Sequence, residues 1–216
     1  MTLVLAFPAT DGVALLTDTR KWLPGGRYVD GHQKLVRCWD GLLTGSGSGD
    51  LLDFVAERSS CRLGMEVLLL IHQVAASAPA GLQAEWTLSV ERAPKAGDSG
   101  AHGIAFQVFD GRHLRPNSWV PGNLPCGLFD EQVERITRSV RSFYEQPRSL
   151  DEVRSVALAL YRDIHRSGLV SREFDFGTHR PGKCISIERL EVPRRRPIAP
   201  TRCAGVGAMG TATVTR

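Results

Sequence analysis

Turn signals cut the first 46 residues into four short apolar runs, and that pattern constrains the fold more than any other feature. Residues 2–7 (TLVLAF) and 12–17 (GVALLT) are divided by Ala9-Thr10-Asp11-Gly12. After a loop carrying Pro24, Gly25 and Gly26, the runs 33–38 and 41–44 are divided by Trp39-Asp40-Gly41. Short apolar runs bounded by tight turns predict antiparallel hairpins. At 45–50 (GSGSGD) the period changes. Leu51, Leu52, Phe54 and Val55 fall at helical spacing, and 64–78 is apolar enough to predict a helix buried on most sides.

The alternation then repeats. Strands are predicted at 86–93 and 103–109, around a loop at 94–102. Asp110-Gly111 turns the chain into a weaker strand over 113–120. A helix over 129–144 puts Val133, Ile136, Val140 and Phe143 on one face. A second starts at Ser149, with Asp151 and Glu152 in its first turn and Gly168 as its stop. Two more strands are predicted at 172–176 and 183–190. Strands, two helices, strands, two helices, strands: this order predicts an α+β fold, a four-layer αββα sandwich of two antiparallel sheets between helix pairs. Residues 1–190 form that domain, and 191–216 read as a basic Pro/Gly/Ala-rich tail.

The charge distribution narrows the partners. The net charge is +4, from 27 basic and 23 acidic residues. Five arginines (Arg194, Arg195, Arg196, Arg202, Arg216) and one acid, Glu191, fall in the tail, so the body carries none of the excess. A phosphate-tracking globular surface is disfavoured, and only the tail leaves nucleic-acid binding as a third reading. No apolar run reaches the ~18 residues that a membrane helix needs. Five scattered cysteines read as reduced thiols of a cytoplasmic chain.

Familiar catalytic patterns are missing. The glycine stretch has no Lys-Ser/Thr pair for a phosphate loop and no βαβ context for a dinucleotide. No nucleophile elbow occurs, and no C-x-x-C or H-x-x-x-H supports a metal, so neither metal nor cofactor is expected. His72 is expected as a satisfied core histidine.

What remains is the N-terminus. Thr2 follows Met1, and Met is usually removed before a small residue. The exposed α-amine, with an ordinary pKa of ~7.7–8.0, would then serve as general base for its own hydroxyl. Asp18 closes the second run. Lys34, one of only four lysines, follows sixteen residues later. A lysine beside an α-amine keeps that amine neutral by like-charge repulsion.

An N-terminal Thr, Asp-x-Arg closing the second strand, a Lys sixteen residues on, and a glycine-rich entry to a helix carrying Asp resemble the proteasome β-subunits and the bacterial HslV peptidase. These are N-terminal nucleophile hydrolases, and the betaproteobacterial proteasome homologues are the subgroup the chain resembles. The match is specific over 2–53 and follows the same element order to about 190. The resemblance implies a threonine endopeptidase. Thr2 is the nucleophile, Asp18 and Lys34 the tuning pair, Gly49 (or Gly47, one slip away) the oxyanion donor, and Arg20 a structural arginine. Lys21, His32, Val36 and Gly47 would line the first specificity pocket. Asp163 and Ser167 would support the nucleophile, although Ser167-Gly168 comes one residue late. Cys126 or Gly127 stands where the family has a serine. The resemblance also implies homo-oligomeric stacked rings of six or seven subunits, an AAA+ ATP-dependent unfoldase as partner, and peptide or unfolded-protein substrates. Only Met1 would need to be removed. The departures at 126 and 167 motivate an alternative: a catalytically weak or inactive ring subunit acting as scaffold or binding chamber.

Overall fold

The fold is taken from a computed structural model of the chain. It describes residues 2–91, 102–116, 122–180, 182 and 185–193. The expected strand ends at 117–120 and 183–184, most of the 94–102 loop and the tail from 194 lie outside the described residues.

Twelve strands and four α-helices occur among the described residues. The chain opens with β1 (Val4–Ala9), β2 (Gly12–Asp18), β3 (Lys21–Trp22), β4 (Tyr28–Val29), β5 (Val36–Arg37) and β6 (Leu42–Gly47). Helices α1 (Gly49–Ser59) and α2 (Gly64–Ser77) follow, then β7 (Ala84–Glu91), β8 (His102–Phe109), β9 (Leu114–Pro116) and β10 (Gly122–Asn123). Helices α3 (Asp130–Glu145) and α4 (Leu150–His165) precede β11 (Glu173–His179) and β12 (Ser186–Glu191). The strands pair antiparallel in three sheets, ordered β10-β1-β2-β11-β12, β5-β6-β7-β8-β9 and β3-β4. The protein is therefore α+β. No helix among the described residues is long and apolar enough to cross a membrane.

Period-two alternation divides the buried residues among three apolar clusters. Leu3, Leu5, Phe7 and Leu16 face Ile136, Val140, Phe143 and Val153 of α3 and α4. Phe7 meets Phe143 edge-on, with ring centroids 5.5 Å apart. Leu43, Trp86 and Leu88 face Val55, Val67 and Ile71 of α1 and α2. Between these lie Ala6, Val13, Leu15, Leu35 and Leu42, where β1, β2 and β11 meet β6 and β8. Burying each large aliphatic side chain contributes about 1.5–3 kcal/mol.

Helix α4 follows its sequence signal. The Ser149 Oγ accepts from the Glu152 N–H at 3.4 Å, the Ser149 N–H donates back to Glu152 at 3.2 Å, and Gly168 ends the segment at φ +76°. Helix α2 departs from expectation. Val67, Leu70, Ile71 and Ala75 are buried, but Met65 (66%) and Leu69 (61%) are exposed. His72 is exposed as well, not a core residue. The helix is apolar on two sides while one chain covers only one of them. The strand expected over 33–38 shrinks to Val36–Arg37, because only these two residues find ladder partners, Leu43 and Leu42, while the Cys38 N–H donates to the Gly41 carbonyl at the turn.

Candidate active site

Strand register brings the N-terminus to Asp18. Val4 lies opposite Thr17 in the β1–β2 ladder. One step beyond, the Leu3 N–H donates to Asp18 Oδ1 at 2.8 Å and the Asp18 N–H to the Leu3 carbonyl at 3.3 Å. Thr2 thus emerges beside a carboxylate that is 1% exposed. Asp18 Oδ2 accepts from the Arg20 N–H at 2.9 Å.

Lys34 arrives from the other sheet's side. A side chain on Gly177 would sit 2.7 Å from Leu35 Cδ2 and 2.9 Å from Leu42 Cδ1. Glycine there lets Leu35 pack on β11, which fixes the irregular segment around Lys34. The Lys34 Nζ donates to Asp18 Oδ1 at 3.0 Å and to Thr2 Oγ1 at 3.3 Å. Its side chain is 9% exposed. Burial pushes the Lys34 ammonium below the ordinary lysine pKa, against the opposing pull of Asp18. Charged, it can stabilise a developing alkoxide on Thr2, and it would hold neutral an α-amine exposed there by loss of Met1.

Arg20 braces this corner. Its guanidinium donates to both Asp30 oxygens at 2.8 and 3.1 Å and to the Gly168 carbonyl at 2.7 Å, and it lies 3.8 Å over the Tyr28 ring. Behind it, Thr19, Ser171 and Tyr161 form a buried hydroxyl network. The Thr19 hydroxyl donates to Ser171 Oγ at 3.0 Å, and the Tyr161 hydroxyl donates to the Ser171 carbonyl at 2.9 Å. Burial pushes the Tyr161 phenol well above its ordinary range. Sequence reading did not find Ser171. It sits in no regular element, and a lone serine gives no periodic signal.

The two glycine candidates differ. The Ser48 N–H donates to the Gln83 carbonyl at 2.7 Å, and Gly47 lies opposite Ala84. Antiparallel ladders alternate bonded and non-bonded pairs. Gly47 is therefore a non-bonded position whose N–H turns away from β7. Its φ is +113°, and an added Cβ would lie 2.4 Å from the Gln83 carbonyl oxygen. Gly49 opens α1, with its Cβ position 3.7 Å from Lys21 Cε. Both glycines and Thr2 line one cavity, so both expected positions lie beside the nucleophile candidate.

Lys21, His32 and Val36 line that same cavity, together with Trp22, Thr44, Leu52, Asp53 and Trp86. A second cavity, also lined by Thr2, is bounded by Ser46, Asn123 and Cys126. Asn123 donates to Ser46.

Asp163 and Ser167 are not brought into the cluster. Asp163 pairs with Arg135 and, at 3.9 Å, with Arg166, and Ser167 Oγ donates to the Ile164 carbonyl at 2.6 Å. Asp163 is drawn to Arg135 on neighbouring α3, and Ser167 satisfies the fraying end of α4. No group of three or more His, Cys, Asp or Glu side chains suited to a metal occurs among the described residues. Neither protein-family models nor the sequences of curated proteins give a match to this chain.

Proposed function

We propose that the protein is a threonine-type endopeptidase of the proteasome β-subunit/HslV kind. The observation that carries this reading is Lys34 Nζ, hydrogen-bonded to both Asp18 Oδ1 at 3.0 Å and Thr2 Oγ1 at 3.3 Å. After removal of Met1, the Thr2 hydroxyl attacks a peptide carbonyl and its proton passes to the Thr2 α-amine. The Gly47 or Gly49 N–H receives the oxyanion, a donor typically worth ~10²–10³ in rate. The resulting α-ammonium protonates the departing amine. Water, deprotonated by the same amine, then cleaves the acyl ester and restores Thr2.

The helix pairs, α3 and α4 on β1 and β2, α1 and α2 on β6 and β7, favour reading the layers as a four-layer αββα sandwich. Cytoplasmic homo-oligomeric double rings of six or seven subunits, fed by an AAA+ unfoldase, complete the reading. The exposed Met65 and Leu69 of α2 supply an apolar stripe for a neighbouring subunit.

A second reading, a weak or inactive ring subunit serving as scaffold or binding chamber, is favoured by one observation. Asp163 and Ser167 make their hydrogen bonds away from Thr2. Turnover of fluorogenic peptides separates the two. The peptidase reading expects cleavage that Thr2→Ala abolishes while assembly size is unchanged. Absence of cleavage, or cleavage surviving Thr2→Ala, contradicts it.

A further inference from the structure

Lys34 stands where no ladder positions it. β4 ends at Val29 and β5 begins at Val36, so residues 30–35 belong to no regular element. Yet the Lys34 Nζ reaches both Asp18 Oδ1 and Thr2 Oγ1, so other contacts must fix the loop that carries it. On the far side of Lys34, Leu35 is fully buried, and Gln33 Nε2 donates to its carbonyl at 3.1 Å. On the near side the anchor is Thr19, the residue that follows Asp18.

Thr19 is fully buried and uses every polar atom it has. Its N–H and its hydroxyl both donate to Ser171 Oγ, at 2.9 and 3.0 Å. Its carbonyl accepts the His32 N–H at 2.9 Å, and its Oγ1 accepts the Gly31 N–H at 3.2 Å. Gly31 turns the chain here at φ +86°, in the left-handed region that favours glycine. Arginines grip the same turn. Arg20 holds the Asp30 carboxylate, and Arg189 Nη1 donates to the Gly31 carbonyl at 3.0 Å. Arg189 is itself fixed on β12 by donating to both oxygens of the buried Asp175, at 2.9 and 3.2 Å. The backbone beside the carboxylate is thereby tied, through one residue, to the loop that presents the cation.

We propose that Thr19 is a positioning residue: by holding the Gly31 and His32 N–H groups it sets the distance between Asp18 and Lys34, with Arg189 bracing the same loop from β12. Thr19 lines neither cavity beside Thr2, so its influence reaches the chemistry through Lys34. A loop freed to shift by about an ångström carries the ammonium away from Thr2 Oγ1, and a misplacement of that size can cost ~10²-fold in rate. The effect on turnover rests on the peptidase reading, whereas the grip on the loop rests on the hydrogen bonds alone.

Thr19→Val keeps the side-chain shape and removes the hydroxyl, and Thr19→Ser keeps the hydroxyl. Each full-chain variant is acetylated with an N-hydroxysuccinimide ester, and labelling at Lys34 is read by peptide mass spectrometry against Lys21, whose side chain is 34% exposed. In Thr19→Val, Lys34 is expected to label roughly fivefold faster than in the parent, the factor for one lost hydrogen bond. Its kcat on fluorogenic peptides is expected to fall about tenfold or more, with KM within about twofold. Thr19→Ser is expected to restore both. Arg189→Gln combined with Asp175→Asn loosens the turn from β12 without stranding a buried carboxylate. It is expected to act in the same direction, and it carries the comparison if Thr19→Val does not fold. Unchanged Lys34 labelling, faster labelling with unchanged kcat, a rise in KM alone, or failure of Thr19→Ser to rescue overturns the proposal. A parent without turnover contradicts the peptidase reading instead, and faster Lys34 labelling that Thr19→Ser reverses then upholds the grip on the loop.

Discussion

Asp18 grips Lys34 at 3.0 Å with the same oxygen that accepts the Leu3 N–H at 2.8 Å. One carboxylate oxygen thereby ties the start of the first strand to the cation beside Thr2. Asp18 is 1% exposed and the Lys34 side chain 9%. Breaking such a pair from one side strands a buried charge, at a cost of roughly 3–5 kcal/mol. Asp18→Ala is expected to lose about that much stability in urea unfolding. Asp18→Asn combined with Lys34→Met is expected to cost less than the two single losses added together. Strict additivity would mean the pair is not coupled.

The glycines separate by backbone strain. Gly47→Ala forces a side chain into φ +113° and to 2.4 Å from the Gln83 carbonyl oxygen. It is expected to destabilise by about 1–3 kcal/mol and to abolish peptide turnover. Gly49→Ala meets only ordinary contact, 3.7 Å from Lys21 Cε, so its unfolding midpoint is expected to stay at or slightly above the parent's. Thermal melts and turnover on both variants check this. Full turnover in Gly47→Ala would contradict a role for the strained Gly47 backbone in the site.

His32 gives a pH signature. Burial first, and the Lys21 charge second, hold the imidazole below its ordinary pKa, against the pull of Asp53. Between that lowered value and ~6.5 the unfolded chain binds more protons than the native one, so stability rises with pH through this window. Below the lowered pKa the full penalty is present. Lys21→Met removes one lowering influence, so the His32 titration followed by NMR is expected to move upward. A downward or absent shift would contradict the Lys21–Asp53–His32 arrangement.

The thiols divide by burial. Cys38 is fully buried, and burial pushes its pKa up to about 12, whereas Cys61 and Cys126 are exposed. At pH 7 Cys38 is therefore held as the unreactive thiol. Among these three, iodoacetamide is expected to label Cys61 and Cys126 and to spare Cys38 until the chain unfolds. Mapping by peptide mass spectrometry reads the result, and early labelling of Cys38 would contradict the packing of its segment.

Much of the fold was legible because its signals are local. Turn residues bounded the hairpin of β1 and β2, apolar periodicity marked all four helices, and the capping box fixed the start of α4. The two-residue strands β3, β4 and β10 escaped, since pairs such as Lys21–Trp22 with Tyr28–Val29 carry no period. The exposure of Met65, Leu69 and His72 was also hidden, because hydrophobicity does not say which surface a single chain will cover. In the site, Thr2, Asp18 and Lys34 stood out as residue types whose chemistry is hard to replace. Thr19, Ser171 and Arg189 did not. Their part depends on which polar atoms are brought together by packing, and spacing carries no trace of that.

The most direct test of the central claim is the intact mass of the purified protein, before and after treatment with a threonine-directed covalent inhibitor. The expected result is a chain lacking Met1, gaining a single adduct that maps to Thr2 and is absent from Thr2→Ala. A chain that retains Met1, or a processed chain whose Thr2 stays unmodified, would contradict a catalytic N-terminal threonine.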